Sequence, residues 1–231
     1  MKSKKYYKGH RNEMLEFIPG NVSKILEVGC GFGVFAKSVK EAYQIDQYWG
    51  IDIDDKSIKT ASTVLDKAIK HNFNKESDLL PEKYFDCIIF NDALEHLYNP
   101  WSVLNYCKKL LKEGGYIICS LPNVRHIKNL LNLIFNKDWQ YVEAGTLDKT
   151  HYRFFTKKSI YKLFSELNFN IIDIKGINKK SSRKPEMYLF ILFINLLSIL
   201  FYKRDSLNIG KFHMDIRYLQ FAVVAQIKTK K

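Results

Sequence analysis

The stretch from Lys24 to Asp52 restricts the fold more than any other part of this chain. Residues 24–28 form a short β-rich run that ends in Gly29-Cys30-Gly31-Phe32-Gly33, and a helical stretch follows over 34–42. A second strand is predicted over 48–52, closing on Asp52. Glycines between a strand and a helix let the backbone turn tightly and approach a ligand closely. Strand, glycine loop, helix and parallel strand make one crossover unit. A carboxylate at the end of the second strand, about twenty residues beyond the last glycine, can accept both ribose hydroxyls of an adenosine cofactor.

The rest of the chain extends this alternation. Asp54 or Asp55 can cap a helix running toward Lys67. A weaker strand follows over 68–73. Residues 85–91 form an almost continuous apolar run, as expected of a strand buried on both faces. A helix over 100–111 has Pro100 in its first turn and Gly114-Gly115 beyond its end. A strand over 116–121 stops at Pro122. Beyond it come a helix over 125–135, an aromatic and polar stretch over 136–156 that reads as a lid, and a helix over 157–167. A strand over 170–175, a basic linker over 179–185 and a last strand over 217–227 complete the pattern. The expectation is a single α/β domain spanning 1–231, with a cofactor-binding half (20–122) and an acceptor-side half (123–231).

Two details select the cofactor. A dinucleotide fingerprint has a third glycine where this chain has Val34, and Glu27 would repel a pyrophosphate while favouring a cationic amino group. S-adenosylmethionine carries an adenosine and a cationic methionine end, with no phosphate. The segments Glu27-Val28-Gly29-Cys30-Gly31-Phe32-Gly33, Gly50-Ile51-Asp52 and Phe85-Asp86-Cys87-Ile88-Ile89 resemble the class I S-adenosylmethionine-dependent methyltransferases. The resemblance implies a Rossmann-like, mostly parallel seven-stranded sheet of order 3-2-1-4-5-7-6, with an antiparallel last strand and helices on both faces. It also implies that Glu27, Gly29, Gly31 and Gly33 hold the methionine portion, that Asp52 takes the ribose and that Ile53 packs on the adenine. Asn72 stands where many relatives carry an acid that touches the adenine amine, and Asn91 borders the methyl group.

Three further blocks, 94–101, 121–126 and 147–156, are similar to a bacterial branch associated with glycosyltransferases and surface-glycan assembly. That similarity implies O-methylation of a sugar or glycan precursor. Removing a hydroxyl proton suits a histidine, whose unperturbed pKa lies near working pH. The candidates are His151, His126 and His96, with His151 favoured because it sits between Asp148 and Arg153 in the aromatic lid block. Tyr152, Asp148 and Arg153 are the expected acceptor contacts. No metal is expected. Asp92, Glu95 and His96 nevertheless match a carboxylate-x-x-Glu-His arrangement that holds a divalent ion in ubiquinone-pathway and RNA-end methyltransferases.

Composition weighs on compartment and partners. The four cysteines form no C-x-x-C pair, and no apolar stretch follows the basic N-terminus, so the chain reads as cytoplasmic. The net charge of +13 comes from 37 Lys and Arg spread along the chain, against 24 Asp and Glu. It allows a polyanion partner without locating one, and a nucleic-acid partner is not favoured. Residues 187–202 carry no charge. As a helix they would be about 24 Å long, short of a bilayer span, and suited to a buried element or to peripheral contact with a membrane. The alternative functions are a quinone-like or lipid O-methyltransferase, an RNA methyltransferase, and a cofactor-binding module without turnover.

Overall fold

A computed structural model describes residues 11–179 and 215–228, together with Leu189 and Phe193. Seven strands form one sheet: β1 (Lys24–Val28), β2 (Gln47–Asp52), β3 (Lys67–Lys70), β4 (Phe85–Asn91), β5 (Leu111–Pro122), β6 (Phe169–Lys179) and β7 (Tyr218–Ile227). Their order is β3-β2-β1-β4-β5-β7-β6, with β7 antiparallel to both of its neighbours. This is the architecture expected from the sequence. The α-helices within residues 11–179 are α1 (Val34–Ala42), α2 (Asp55–Ala61), α3 (Pro100–Leu110), α4 (Ile127–Leu131) and α5 (Lys157–Glu166).

Side-chain alternation along the strands builds two cores. Along β4, Ile88 and Phe90 join the helical residues Val103, Leu104 and Cys107 of α3 and Ile160 and Leu163 of α5. Cys87 and Ile89 point the other way, toward Phe35, Ala36 and Val39 of α1 and Ala61 of α2. Met14 and Phe17, from a 3₁₀ turn over Asn12–Phe17, pack into the same layer. The part of β4 buried on both faces, Cys87 to Phe90, is apolar at every position, which is why it shows no polar alternation.

Helix starts follow their caps. The Asp54 carboxylate accepts from Ser57 N at 2.8 Å, and Asn99 Oδ1 accepts from Trp101 N and Ser102 N ahead of Pro100. Thr156 and Ser159 form a capping box on α5. Helix α2 ends at Ala61 rather than near Lys67, because the chain must turn back into β3. That turn is held by the Asp66 carboxylate, which accepts from Tyr48 N and pairs with Lys40. Strand β6 runs on to Lys179, since β7 offers it a partner along that whole length. The 125–135 helix is shorter than expected, passing after Leu131 into a π-helical turn over Asn132–Asn136. The apolar segment 187–202 lies outside the described residues, apart from Leu189 and Phe193, which are helical and exposed. Among the described residues, no helix is long and apolar enough to cross a membrane.

Candidate active site

The loops after β1, β2 and β4 leave the same edge of the sheet and enclose a cleft of about 680 Å³. Glu27, Gly29, Gly31, Asp52, Ile53, Asn72 and Asn91 all line it. Gly33 does not. It starts α1 at φ +75°, where a Cβ would stand 3.5 Å from Ala61 Cα and Val64 Cβ, so its place is helix packing. Gly29 is more tightly enclosed than Gly33. At φ +77°, an added Cβ would meet Ala93 Cβ at 3.0 Å.

Asp52 does more than face the cleft. Its Oδ2 accepts from Gly31 N at 3.0 Å and its Oδ1 accepts from Asp54 N at 2.9 Å, so the carboxylate also clamps the glycine loop to the end of β2. An ionised carboxylate has about four acceptor sites, which leaves capacity on both oxygens. Ile53 is 67% exposed and offers an apolar face to the same cleft. The Asn72 carbonyl accepts from both Asn74 N and Asn74 Nδ2. Its acceptor capacity is therefore spent on the turn, and the group it retains for a ligand is an N–H donor.

Glu27 lies at the floor of the cleft, 2% exposed. Tyr48 donates to it at 3.1 Å and Asn91 Nδ2 at 3.4 Å. Burial outweighs these bonds and pushes the Glu27 carboxyl up to about 8, with the Asp52 charge adding to the shift. Asn91 Oδ1 and Arg11 Nη2 are both buried without a hydrogen-bond partner among the described residues, and both residues line the cleft. An uncompensated buried acceptor and donor are costly unless a ligand answers them. A zwitterionic amino acid would do so, with its ammonium toward Glu27 and Asn91 and its carboxylate toward the guanidinium. The residues present therefore fit the methionine end of S-adenosylmethionine. Arg11 was missed by sequence reasoning because it lies before the first strand, where no motif marks it.

At the other rim stand His96 and Thr150. His96 Nδ1 lies 3.0 Å from the Thr150 carbonyl oxygen and 3.2 Å from its hydroxyl. A carbonyl oxygen only accepts, so Nδ1 carries the hydrogen and Nε2 is the basic nitrogen. The main-chain nitrogens of Tyr152 and Arg153 both donate to the Glu95 carbonyl, latching the end of the lid stretch to the turn after β4. Asp148 sets that latch, accepting from Thr150 N at 2.8 Å and from Thr150 Oγ1 at 2.6 Å.

The three candidate histidines stand differently toward the cleft. His151 is not among the residues lining the cleft. The latch turns its ring inward, 4.7 Å from the His96 ring, with Nε2 3.9 Å from buried Glu95. His126 is also absent from the lining and is buried at the start of α4. Of the expected acceptor contacts, Asp148 is buried in its turn, Arg153 donates to the Tyr98 carbonyl, and Tyr152 donates to the Tyr98 hydroxyl. Asp92 does not meet Glu95 and His96 as a metal ligand. It sits at φ +50° and is turned toward Arg11 Nη1 at 2.7 Å, Ser120 and Gln220. His151 stands in its place, and the ligand atoms of Glu95, His96 and His151 lie within 4.8 Å of one another.

A family model described as a methyltransferase domain matches residues 4–174. The chain is 28% identical over 161 residues to a ubiquinone biosynthesis O-methyltransferase of Nitrosospira multiformis, a match covering 67% of this chain and 65% of that protein. It is 29% identical over 164 residues to the protein of the same name from Vibrio atlanticus, covering 67% and 66%. The chain thus spans slightly under two thirds of the length of these relatives. Among solved structures, it resembles a SAM-dependent methyltransferase from Archaeoglobus fulgidus with TM-score 0.64 and 21% identity, covering 97% of this chain and 94% of that one. An S-adenosylmethionine-dependent methyltransferase from Mesorhizobium loti follows with TM-score 0.58 and 15% identity, covering 94% and 98%.

Proposed function

The chain belongs to the methyltransferase domain family, and from that premise we propose that it uses S-adenosylmethionine to methylate a hydroxyl oxygen of a small, quinone-like aromatic acceptor. The observation that carries the reading is His96, set on the rim of the cofactor cleft with Nδ1 held by Thr150. The names of the relatives favour this acceptor class over the sugar precursor expected from the sequence.

When bound, the cofactor supplies an electrophilic methyl group on a sulfonium. Glu27 and Asn91 would hold its ammonium, Arg11 its carboxylate and Asp52 its ribose, while Ile53 would cover the adenine. His96 Nε2 takes the acceptor's hydroxyl proton as the oxygen becomes nucleophilic. A phenolic hydroxyl titrates near 10, within reach of an imidazole acting as general base, whereas an alkyl hydroxyl asks far more of it. The latch set by Asp148 keeps Thr150, and hence the imidazole, in one orientation.

The test is methyl transfer from labelled cofactor to a catechol-type quinol, a nucleotide sugar and RNA in parallel. Label enters the quinol, and His96→Ala lowers kcat by about 10²–10⁴ with cofactor affinity unchanged. Label confined to the sugar or RNA, or full activity in His96→Ala, refutes the reading. The meeting of Glu95, His96 and His151 favours a second reading, in which these residues hold a divalent ion that lowers the hydroxyl pKa. Dialysis against a chelator separates the two, since the histidine mechanism keeps its turnover and the metal mechanism loses it until ion is restored.

A further inference from the structure

Every residue from 133 to 145 is exposed, although the stretch contains Leu133, Ile134, Trp139, Tyr141 and Val142. Such a run departs from ordinary surface composition, where large apolar side chains are scattered singly. It is not a frayed loop. Leu133 and Ile134 ride on the π-helical turn Asn132–Asn136. Trp139 stands edge-on to Phe154 at 5.3 Å, with Tyr141 on the same ring at 6.2 Å. The returning chain is closed by the bonds of Val142 N to Leu147 O and Lys149 N to Val142 O. Two aliphatic side chains and two amphipathic aromatics are therefore fixed outward by local structure.

Charge says what faces them. Residues 123–158 hold seven Lys and Arg against three Asp and Glu. Of the acids, Asp148 is buried and Glu143 is paired with Lys149 at 2.7 Å. Lys128, Lys137 and Lys158 remain exposed in the same stretch of chain, against the one other exposed acid, Asp138. Aliphatic side chains beside Trp and Tyr, with exposed lysines in the same stretch, are the chemistry of a bilayer interface with anionic headgroups. We propose that the 133–142 surface docks this protein on an anionic lipid bilayer. The run leads directly to Thr150 at the cleft rim, so docking sets the mouth of the site beside the lipid. The proposal stands apart from the acceptor reading, because a soluble acceptor would leave the surface and its charge unchanged.

The test uses the full chain and vesicles of phosphatidylcholine with or without phosphatidylglycerol. Wild type co-floats with the anionic vesicles, and added salt weakens the association. Leu133→Glu with Ile134→Glu lowers the partition coefficient by about tenfold or more. Brominated lipid quenches the indole fluorescence in wild type and Trp101→Phe, and the quenching is lost in Trp139→Phe. Equal flotation of wild type and the double variant overturns the proposal, as does quenching that survives Trp139→Phe. Concentration-dependent self-association abolished by the same substitutions, without flotation, overturns it in favour of a second copy of the chain. Methyl transfer to a water-soluble quinol by the double variant is read separately, so failure of docking and failure of the acceptor reading remain distinguishable.

Discussion

Cofactor affinity should depend steeply on pH through Glu27. In the empty cleft its carboxyl is pushed up to about 8 by burial, so near neutral pH it is mostly protonated. A ligand ammonium requires the ionised form. Binding therefore expels a proton, and affinity rises as pH approaches the free-site value. With that value near 8, the ionised fraction grows about twentyfold between pH 6 and pH 7.5. S-adenosylmethionine affinity should rise by about the same factor. Calorimetry at these two pH values measures it, and repeating the titration in buffers of different ionisation enthalpy should show nearly one proton released per ligand at pH 7. The interval stops short of the ligand's own amino-group titration, near 8. Glu27→Gln removes the titrating group, so its affinity should be weaker at pH 7.5 and nearly flat over the interval. A flat wild-type profile refutes the reasoning, and so does an equal slope in the variant.

The same shift acts on folding. Unfolded Glu27 ionises above its ordinary value of 4.5 while the folded carboxyl holds its proton to about 8. Stability is therefore lost across that window, at up to about 1.4 kcal/mol per pH unit. Thermal melts should show cofactor-free Glu27→Gln gaining on wild type from pH 5 to pH 8. Asp52→Ala removes the ribose acceptor and the clamp on Gly31 and Asp54 together, so its Kd by calorimetry should rise more than about a hundredfold. Gly50→Ala places a Cβ 2.4 Å from Leu65 Cδ1 and 2.8 Å from Cys30 Cβ, and denaturant titration should find it about 1–3 kcal/mol less stable. Asp148→Ala frees the latch that orients His96 through Thr150. Steady-state assays should show kcat falling while cofactor Kd holds, and an effect confined to acceptor KM would place Asp148 on the substrate instead.

Local chemistry made much of this protein readable in one dimension. Glycines that need positive φ, caps that satisfy helix N–H groups and a doubly buried strand all leave marks on neighbouring residues, so β1, the glycine loop, α1, β4 and α3 were legible from the chain alone. Glu27, Asp52 and Ile53 belong to that same local unit, and the cleft receives them where the motif implied. What the motif could not show is pairing between distant segments. Arg11 reaches Asp92 and Gln220 only because the sheet order brings β7 beside β5. That contact takes Asp92 away from Glu95 and His96. Where each histidine lies was decided the same way. His96 and His151 are both polar rings in polar, aromatic stretches, and sequence favoured His151 for its charged neighbours. Tertiary structure turns those neighbours to other work, with Asp148 closing its own turn and Arg153 holding Tyr98. The backbone bonds to the Glu95 carbonyl then bring His96 to the rim and bury His151 behind it, an outcome set by hydrogen bonds between residues more than fifty positions apart.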